Sequence, residues 1–358
     1  MIVETPAPLV AAIEAEMTSV RASLRRQIQA MEELHGLFTS GRSGIRRIAY
    51  LDIPRLRTAY LRYHLPLNTA RASCALVDVL RIHPAARDLT EVVDLGAGPG
   101  SASLATLFQM AARTLHLHDR SRAALGVARR ILQECASAGS GPPGRVATRV
   151  GSFPPFPPMP RRALVWLSMV LNELEVGSRR GPDPSVILSR LERALDPHSV
   201  VIVMEPALRG PGRSLLRLHD AALSMGGWRV LSPCTHQLRC PLLGERDRSW
   251  CHFRFRWIAP ALVRQVAGPL GLDHEFPSLA FLAIERVRRG ASAPREDRFR
   301  ARVIGDRMPV EGGTEGIYIC QEGRRKVIEA PPPEIRRGDI VAAKPGARAR
   351  VEVAWKEA

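Results

Sequence analysis

The stretch EVVDLGAGPGSASLATL, Glu91 to Leu107, decides how the rest of the chain is read. Val92, Val93 and Leu95 form the short apolar run of a central parallel strand, with Asp94 near its carboxyl end. Gly96, Ala97, Gly98 and Gly100 follow as a turn. Its glycines let the backbone bend sharply and approach a ligand with no Cβ in the way, and Ser101 or Ser103 is placed to cap the helix after it. Strand, glycine turn and helix start, in that order, make a cradle for a nucleotide-type cofactor. A second apolar run, Thr114 to Leu117, leads to Asp119, roughly 20 residues on, where an acid can accept hydrogen bonds from ribose hydroxyls. The cofactor-binding candidates are therefore Asp94, Gly96, Ala97, Gly98, Gly100 and Asp119.

Outward from that stretch the pattern alternates. Strands are predicted at 91–95, 114–118, 146–150, 163–168 and 199–204, with helices at 121–136 and 184–195, which is the order of an α/β doubly wound sheet. The spacing D-x-G-x-G-x-G puts Ser101 where a dinucleotide fold would usually have its third glycine. It resembles motif I of class I S-adenosylmethionine (SAM) methyltransferases more than an NAD site, and the domain expected over 86–290 is of that Rossmann-like kind. The proline-rich GSFPPFPPMP, Gly151 to Pro160, precedes the fourth strand and reads as a stiff connector. After that strand comes LSMVLNELE, Leu167 to Glu175. Asn172 and Glu173 fall there at the carboxyl edge of the sheet and are the catalytic candidates. The segment has neither a Pro-Pro-Tyr clamp nor a cysteine nucleophile, so a cofactor pocket is better supported than a catalytic apparatus.

Residues 1–85 read as a helical region, with Ile13, Met17, Val20 and Leu24 at helical spacing and a second segment from Arg55 through Leu80. Pro66 is expected to break or kink that segment, leaving Tyr60, Arg62, Tyr63 and His64 as a surface toward cofactor or RNA, or as packing. PSLAFLAIERV, Pro277 to Val287, has the look of a late hairpin partner in the sheet. Residues 291–358 form a β-rich tail, with strands placed at 300–304, 316–321 and 349–354.

At 358 residues the chain can bury a large core, and no apolar run approaches the ~18 residues a bilayer span needs, so no membrane segment is expected. Glu4, Glu14 and Glu16 fit neither a secretory signal nor a transit peptide. The expectation is a monomer in a bacterial cytoplasm. Lys and Arg number 52 against 35 Asp and Glu, a net charge of +17 that calls for an anionic partner, of which RNA is the commonest. Lys occurs only at 326, 344 and 356; a GC-rich genome explains Arg in place of Lys but not the excess of base over acid.

That excess is dense from Arg209 to Arg264, where ten Arg face three acids and Trp228, Trp250, Phe253, Phe255 and Trp257 are interleaved. The mixture suits phosphate contact and base stacking. The stretch 207–265 is expected as a Cys- and Arg-rich insertion, because Cys234, Cys240 and Cys251 stand in it as C-x5-C-x10-C, in loops rich in Pro, His and Arg rather than in an apolar period. Such surroundings favour thiolates and metal ligation over buried thiols, and Cys320 in GIYICQEG is the candidate for a fourth ligand. Spacing alone accommodates iron–sulfur or zinc. Cys74 and Cys135 lie on helical segments and carry no assigned chemistry.

Taken together, these stretches resemble the methyltransferase-like assembly factors of the small ribosomal subunit, known from mitochondria as methyltransferase-like protein 17 and present in bacteria. The resemblance runs from about Arg55 to Ile340. It is carried by YLRYHLPLNTA (Tyr60 to Ala70), DLGAGPGSAS (Asp94 to Ser103), VLNEL (Val170 to Leu174), PCTHQLRCPL with WCHF (Pro233 to Phe253), and IC-x-x-G with the later RGD (Ile319 to Asp339). Thr235 stands where the family tends to have Pro and Arg337 where it tends to have Trp, and neither is a proposed ligand. The resemblance implies a four-iron, four-sulfur cluster on Cys234, Cys240, Cys251 and Cys320, and binding to small-subunit rRNA or the immature small subunit. It leaves open an active SAM-dependent rRNA methyltransferase. A small-molecule methyltransferase with a structural zinc is a further alternative read from the residues.

Overall fold

Side chains alternate between two cores along the central strands, as period-two geometry requires when both faces of a sheet are covered. The structure, a computed structural model, describes residues 1–18, 23–39, 49–140, 144–152, 155–174, 183–244, 249–291, 299–310, 314–343 and 351–354. In chain order its strands are β1 (Ile2–Glu4), β2 (Glu91–Leu95), β3 (Thr114–Asp119), β4 (Arg145–Val150), β5 (Leu164–Ser168), β6 (Val200–Glu205), β7 (Trp228–Ser232), β8 (Phe253–Arg254), β9 (Arg256–Ile258), β10 (Ser278–Arg286), β11 (Arg300–Pro309), β12 (Glu315–Gln321), β13 (Arg324–Glu329), β14 (Ile340–Ala343) and β15 (Val351–Ala354).

The central sheet has the order β4-β3-β2-β5-β6-β10-β7, with β8 joined to β10. β4, β3, β2, β5 and β6 run parallel, while β10 lies antiparallel between β6 and β7. This is the doubly wound sheet of class I SAM methyltransferases, and the late hairpin partner expected at 277–287 is its reversed strand. Val92, Leu115, Trp166 and Ile202 point into one core and Val93, Val165, Val203 and Leu282 into the other. Helices Ala7–Thr18, Leu24–Thr39, Pro54–Arg62, His64–Ile82, Ser101–Leu107, Arg122–Cys135 and Ala261–Ala267 cover the first face. Helices Pro184–Ala194 and Arg209–Met225 cover the second.

Three expectations are corrected by these elements. The described part of 1–85 is helical, except that β1 pairs in parallel with β9 at the far end of the domain. Its helix break falls at Tyr63, not at Pro66. Pro66 sits in the first turn of His64–Ile82, where a missing N–H costs no hydrogen bond. The stretch 207–265 is an insertion only in part. Arg209–Met225 buries Leu215, Leu218 and Ala222 against the sheet and β7 is a sheet strand, so among the described residues the irregular loop is confined to 233–244 and 249–252. The high density of Arg hid the apolar stripe of that helix.

The tail is an antiparallel sheet, β13-β12-β11-β14-β15, with its own core of Val303, Ile317, Ile319, Ile328 and Val341. It contains β13 and β14 beyond the strands expected, and positions 349–350 of the third lie outside the described residues. A buried ion pair fastens it to the first domain. Arg302 on β11 donates to both carboxylate oxygens of Asp78 on His64–Ile82, at 2.8 and 3.2 Å, and to the carbonyls of Pro233 and Gly338, each at 2.7 Å. Ser232 donates to the same carboxylate.

Candidate functional site

The glycine turn leaves β2 at the carboxyl edge of the sheet and is pinned to β3. Gly96 and Ala97 donate their N–H groups to the His118 carbonyl at 2.8 and 3.0 Å, and Gly98 donates to the Asp119 carboxylate at 2.9 Å. Gly96, Gly98 and Gly100 take φ of 74°, 52° and 89°, a left-handed conformation that only glycine adopts cheaply. A Cβ on Gly96 would overlap the Val170 side chain. One on Gly100 would press on Ala128 at 3.3 Å, so that glycine serves helix packing.

A cavity of ≈ 310 Å³ opens beside this turn, lined by Gly96, Gly98, Asp119, Ser121, Tyr50 and Met169. Asp119 is held on its inner side by Gly98 and Ser121, and burial, foremost, pushes its carboxyl above the ordinary range. Asp94 is not part of the lining. It lies 1% exposed under the turn, where one oxygen accepts from the Ser103 N–H and hydroxyl at 3.1 and 2.7 Å and the other is buried without a partner among the described residues. Burial raises its pKa to about 6. Of the six cofactor candidates, then, Gly96, Gly98 and Asp119 face the cavity, while Asp94, Ala97 and Gly100 shape the turn. Tyr50, Leu51, Ser121, Gly151 and Val170 were not singled out from the sequence. Gly151 and Val170 did stand in quoted segments, GSFPPFPPMP and VLNEL, and a Cβ on Gly151 would meet the His118 ring at 2.9 Å.

Asn172 and Glu173 lie at the same edge, but both are engaged. The Asn172 side-chain amide donates to Glu205, which also accepts the N–H groups of Leu171 and Asn172 at 2.8 and 3.2 Å. Glu173 accepts from the Tyr50 hydroxyl at 3.2 Å and lines the cavity. A second cavity of ≈ 410 Å³ adjoins the first and shares Tyr50, Tyr60, Met169 and Glu173 with it. Of the expected turn, Tyr60, Tyr63 and His64 line this space, whereas Arg62 is structural and donates to Gln27, Gln265 and the Leu262 carbonyl.

The four cysteines Cys234, Cys240, Cys251 and Cys320 converge. All four line one small cavity of ≈ 40 Å³ between the irregular loop and β12, together with His219, His236 and Arg302. Burial, and then the other three thiols, push Cys234 far upward; burial likewise lifts Cys240 to about 11 and Cys251 to about 12, and raises Cys320. Arg302 lowers Cys234 and Cys251 by less than burial raises them, so these groups stay protonated and a metal entering here displaces protons. His236 lies 3.2 Å from the Cys320 sulfur, and Asp220 accepts the Cys240 N–H at 2.8 Å. Among the described residues no group of three or more His, Cys, Asp or Glu is placed to hold a single metal ion. Cys74 and Cys135 are buried elsewhere.

The aromatic residues of 209–264 are not the stacking surface expected of them. Trp228, Phe253, Phe255 and Trp257 are buried in the cores, and Trp250 packs on Gly212 with its ring N–H on the Ala207 carbonyl. Alternation along β7 to β9 turned each aromatic inward and the intervening arginines outward. Arg213 holds the cysteine loop through the carbonyls of Leu242, Leu243 and Ser249. What stays outside is basic: Arg254, Arg256 and Arg336 are exposed along a groove of ≈ 450 Å³ between the first domain and the tail, with Phe276 42% exposed at its side. Among the described residues no helix is long and apolar enough to cross a membrane.

The family described as mitochondrial small ribosomal subunit Rsm22 matches residues 57–326. No curated protein matches the sequence. Among solved structures, the magnesium protoporphyrin IX methyltransferase of Synechocystis is similar with 14% identity over 62% of this chain and 81% of its own, at a TM-score of 0.36. The O-methyltransferase TomG of Streptomyces achromogenes is similar with 12% identity over 60% and 81%, at 0.32. The strand order and the glycine turn define the fold without them.

Proposed function

From the premise that the chain belongs to the Rsm22 family and is a methyltransferase-like ribosomal factor, we propose that it binds SAM and small-subunit rRNA during assembly of the small subunit and carries an iron–sulfur cluster. The observation that carries the reading is the cavity at the glycine turn, lined by Gly96, Gly98 and the Asp119 carboxylate, an acid of the kind that accepts from ribose hydroxyls. SAM supplies a transferable methyl group when bound. The chain's own contribution would be to line the space with the backbone of Gly96 and Gly98 and to hold the Asp119 carboxylate beside it through the Gly98 and Ser121 N–H groups. Calorimetry on the folded protein with SAM, and with its demethylated product, tests this. Heat with either supports the reading, and none with both refutes it.

The convergence of four soft donors on one cavity supports a four-iron, four-sulfur cluster held by Cys234, Cys240, Cys251 and Cys320. Anaerobically purified protein should be brown with about four irons per chain, and Cys320→Ser should lose the colour as Cys240→Ser does, while Cys74→Ser keeps it. Stoichiometric zinc without iron would refute the cluster. RNA is taken to lie along the basic groove of Arg254, Arg256 and Arg336, in a monomer working in the cytoplasm. The second reading, an active rRNA methyltransferase, is favoured by the cavity next to the cofactor space. Methyl transfer from labelled SAM to immature small subunits distinguishes the two.

A further inference from the structure

Rings dominate the second cavity. Phe38 meets Tyr50 edge-on at 5.4 Å between centroids and His64 at 4.9 Å, while Tyr60 lies 6.4 Å from Tyr50 and 5.3 Å from His64, tilted by 33° and 34°. Among the described residues, the arginine that lines this cavity is already engaged: Arg71 donates to Asn68 and to the Ser278 carbonyl, each at 2.9 Å, and Asn68 donates to the Tyr60 hydroxyl at 3.2 Å. His64 Nε2 is buried with no partner among the described residues, an orphaned polar atom that a ligand could satisfy. Burial holds His64 neutral, at about 3, and lifts the Tyr60 hydroxyl to about 12, so these groups offer ring faces and neutral hydrogen bonds. Among the described residues, these neutral rings suit a neutral planar heterocycle better than a phosphate.

We propose that this cavity receives one unstacked nucleobase of a single-stranded RNA whose backbone lies in the neighbouring basic groove. The geometry joining the two spaces argues for a strand over a free small molecule. The segment Leu272–Ser278 is the wall between them: Asp273, Pro277 and Ser278 line the cavity, and Phe276 lines the groove. Arg254, in the groove, donates to the Phe276 carbonyl at 3.3 Å and stands 3.6 Å from Asp273. A phosphate on Arg254 therefore places the attached base at the mouth of the ring-lined cavity, against the wall it shares with the cofactor space. Proteins that act on a base take it out of its stack and read it between rings in this way. The inference rests on the RNA binding proposed above and adds where one base goes.

The test uses the full chain and a single-stranded RNA of about ten nucleotides with one central 2-aminopurine and a terminal fluorophore. Anisotropy of the fluorophore reports binding of the strand, and quenching of 2-aminopurine reports entry of the base among rings. The wild type should give both. Phe38→Leu, at a residue that lines the second cavity and not the first, should abolish the quenching and weaken binding between about fivefold and a hundredfold, the range of one base–aromatic stack. Tyr60→Leu should do the same and Tyr60→Phe should restore the quenching. Arg254→Ser should weaken the anisotropy yet leave the quenching intact at saturation. Strand binding with no quenching, or with quenching that Phe38→Leu and Tyr60→Leu leave unchanged, overturns the base site alone. Absence of strand binding overturns the RNA reading together with it. Free 2-aminopurine riboside quenched at the same concentrations as the strand overturns the assignment to RNA.

Discussion

Replacing Arg302 by Leu should cost the protein about 4 kcal/mol at pH 7, in the range measured when one partner of a buried ion pair is removed. Its side chain is 4% exposed and that of Asp78 9%, so water cannot take over from the guanidinium. The variant strands a buried carboxylate that would keep only Ser232 and Arg81 beside it, and it orphans the carbonyls of Pro233 and Gly338. The dependence on pH follows from the same contacts. Burial would raise the Asp78 carboxyl, but Arg302 first, then Ser232 and Arg81, outweigh burial and hold it below the ordinary range. The pair therefore contributes its full stability above the unfolded carboxyl pKa of ~3.9 and loses it as pH falls through the depressed folded value. In Arg302→Leu the carboxyl is raised instead, so the deficit is largest at pH 7 and shrinks toward pH ~4.5 as Asp78 takes up a proton. Urea denaturation followed by tryptophan fluorescence, across that range, measures it. The double variant Asp78→Leu with Arg302→Leu should be more stable than Arg302→Leu alone, because two apolar side chains leave no charge stranded. A deficit under ~1 kcal/mol, the size of an exposed pair, or one that does not change with pH, refutes the reasoning.

Gly96→Ala combines a positive φ with overlap on Val170 and should abolish the heat of SAM binding, whereas Gly271→Ala, at a φ of 61° with nothing within 4 Å, should cost ~1 kcal/mol of stability and leave SAM binding intact. Asp94→Asn should flatten the pH profile of stability. The folded Asp94 is raised to about 6, so its contribution is present at pH ~4 and is lost as pH rises through 6, by about 3 kcal/mol; equal slopes for variant and wild type between pH 4 and 7 would contradict the burial argument. Association with immature small subunits should weaken steeply with salt, log K falling linearly with log salt as counterions are released from the phosphates. Co-sedimentation unchanged by salt would exclude the basic groove as the RNA contact.

The sheet was legible because its strands are buried on both faces, so that Leu164–Leu167 and Val200–Met204 read as unbroken apolar runs and Val92–Leu95 as one interrupted only by Asp94. The turn at Gly96 to Gly100 was legible for a different reason: three left-handed residues in five leave little choice but glycine. Which members of the turn face the cavity was not, since Gly98 and Gly100 carry the same sequence signal and differ only in what lies beyond the missing Cβ, Leu51 in one case and Ala128 in the other. The cysteine positions were visible in the sequence, and their convergence depended on β12 folding back over the loop after β7, a contact between residues more than 80 apart. The aromatics of 209–264 misled because composition does not say which face of a short strand is buried. Tyr50 and Phe38 gave no signal at all. Their role arises where helices from the N-terminal region lie over the carboxyl edge of a sheet that begins 41 residues after Tyr50.

The pairing of β1 with β9 sets the order in which the chain can complete itself during synthesis. Thr5 waits for the ring N–H of Trp257, 252 residues away, and β1 has no other strand partner among the described residues. At translation rates of ~5 to 20 residues per second, that wait is on the order of 10 to 50 s, far longer than the microseconds in which the helices beside it form. The opening strand therefore stays unpaired until β9 has been made, by which time the five parallel strands are complete and only the helix Ala261–Ala267 and β10 remain to be added to the first domain.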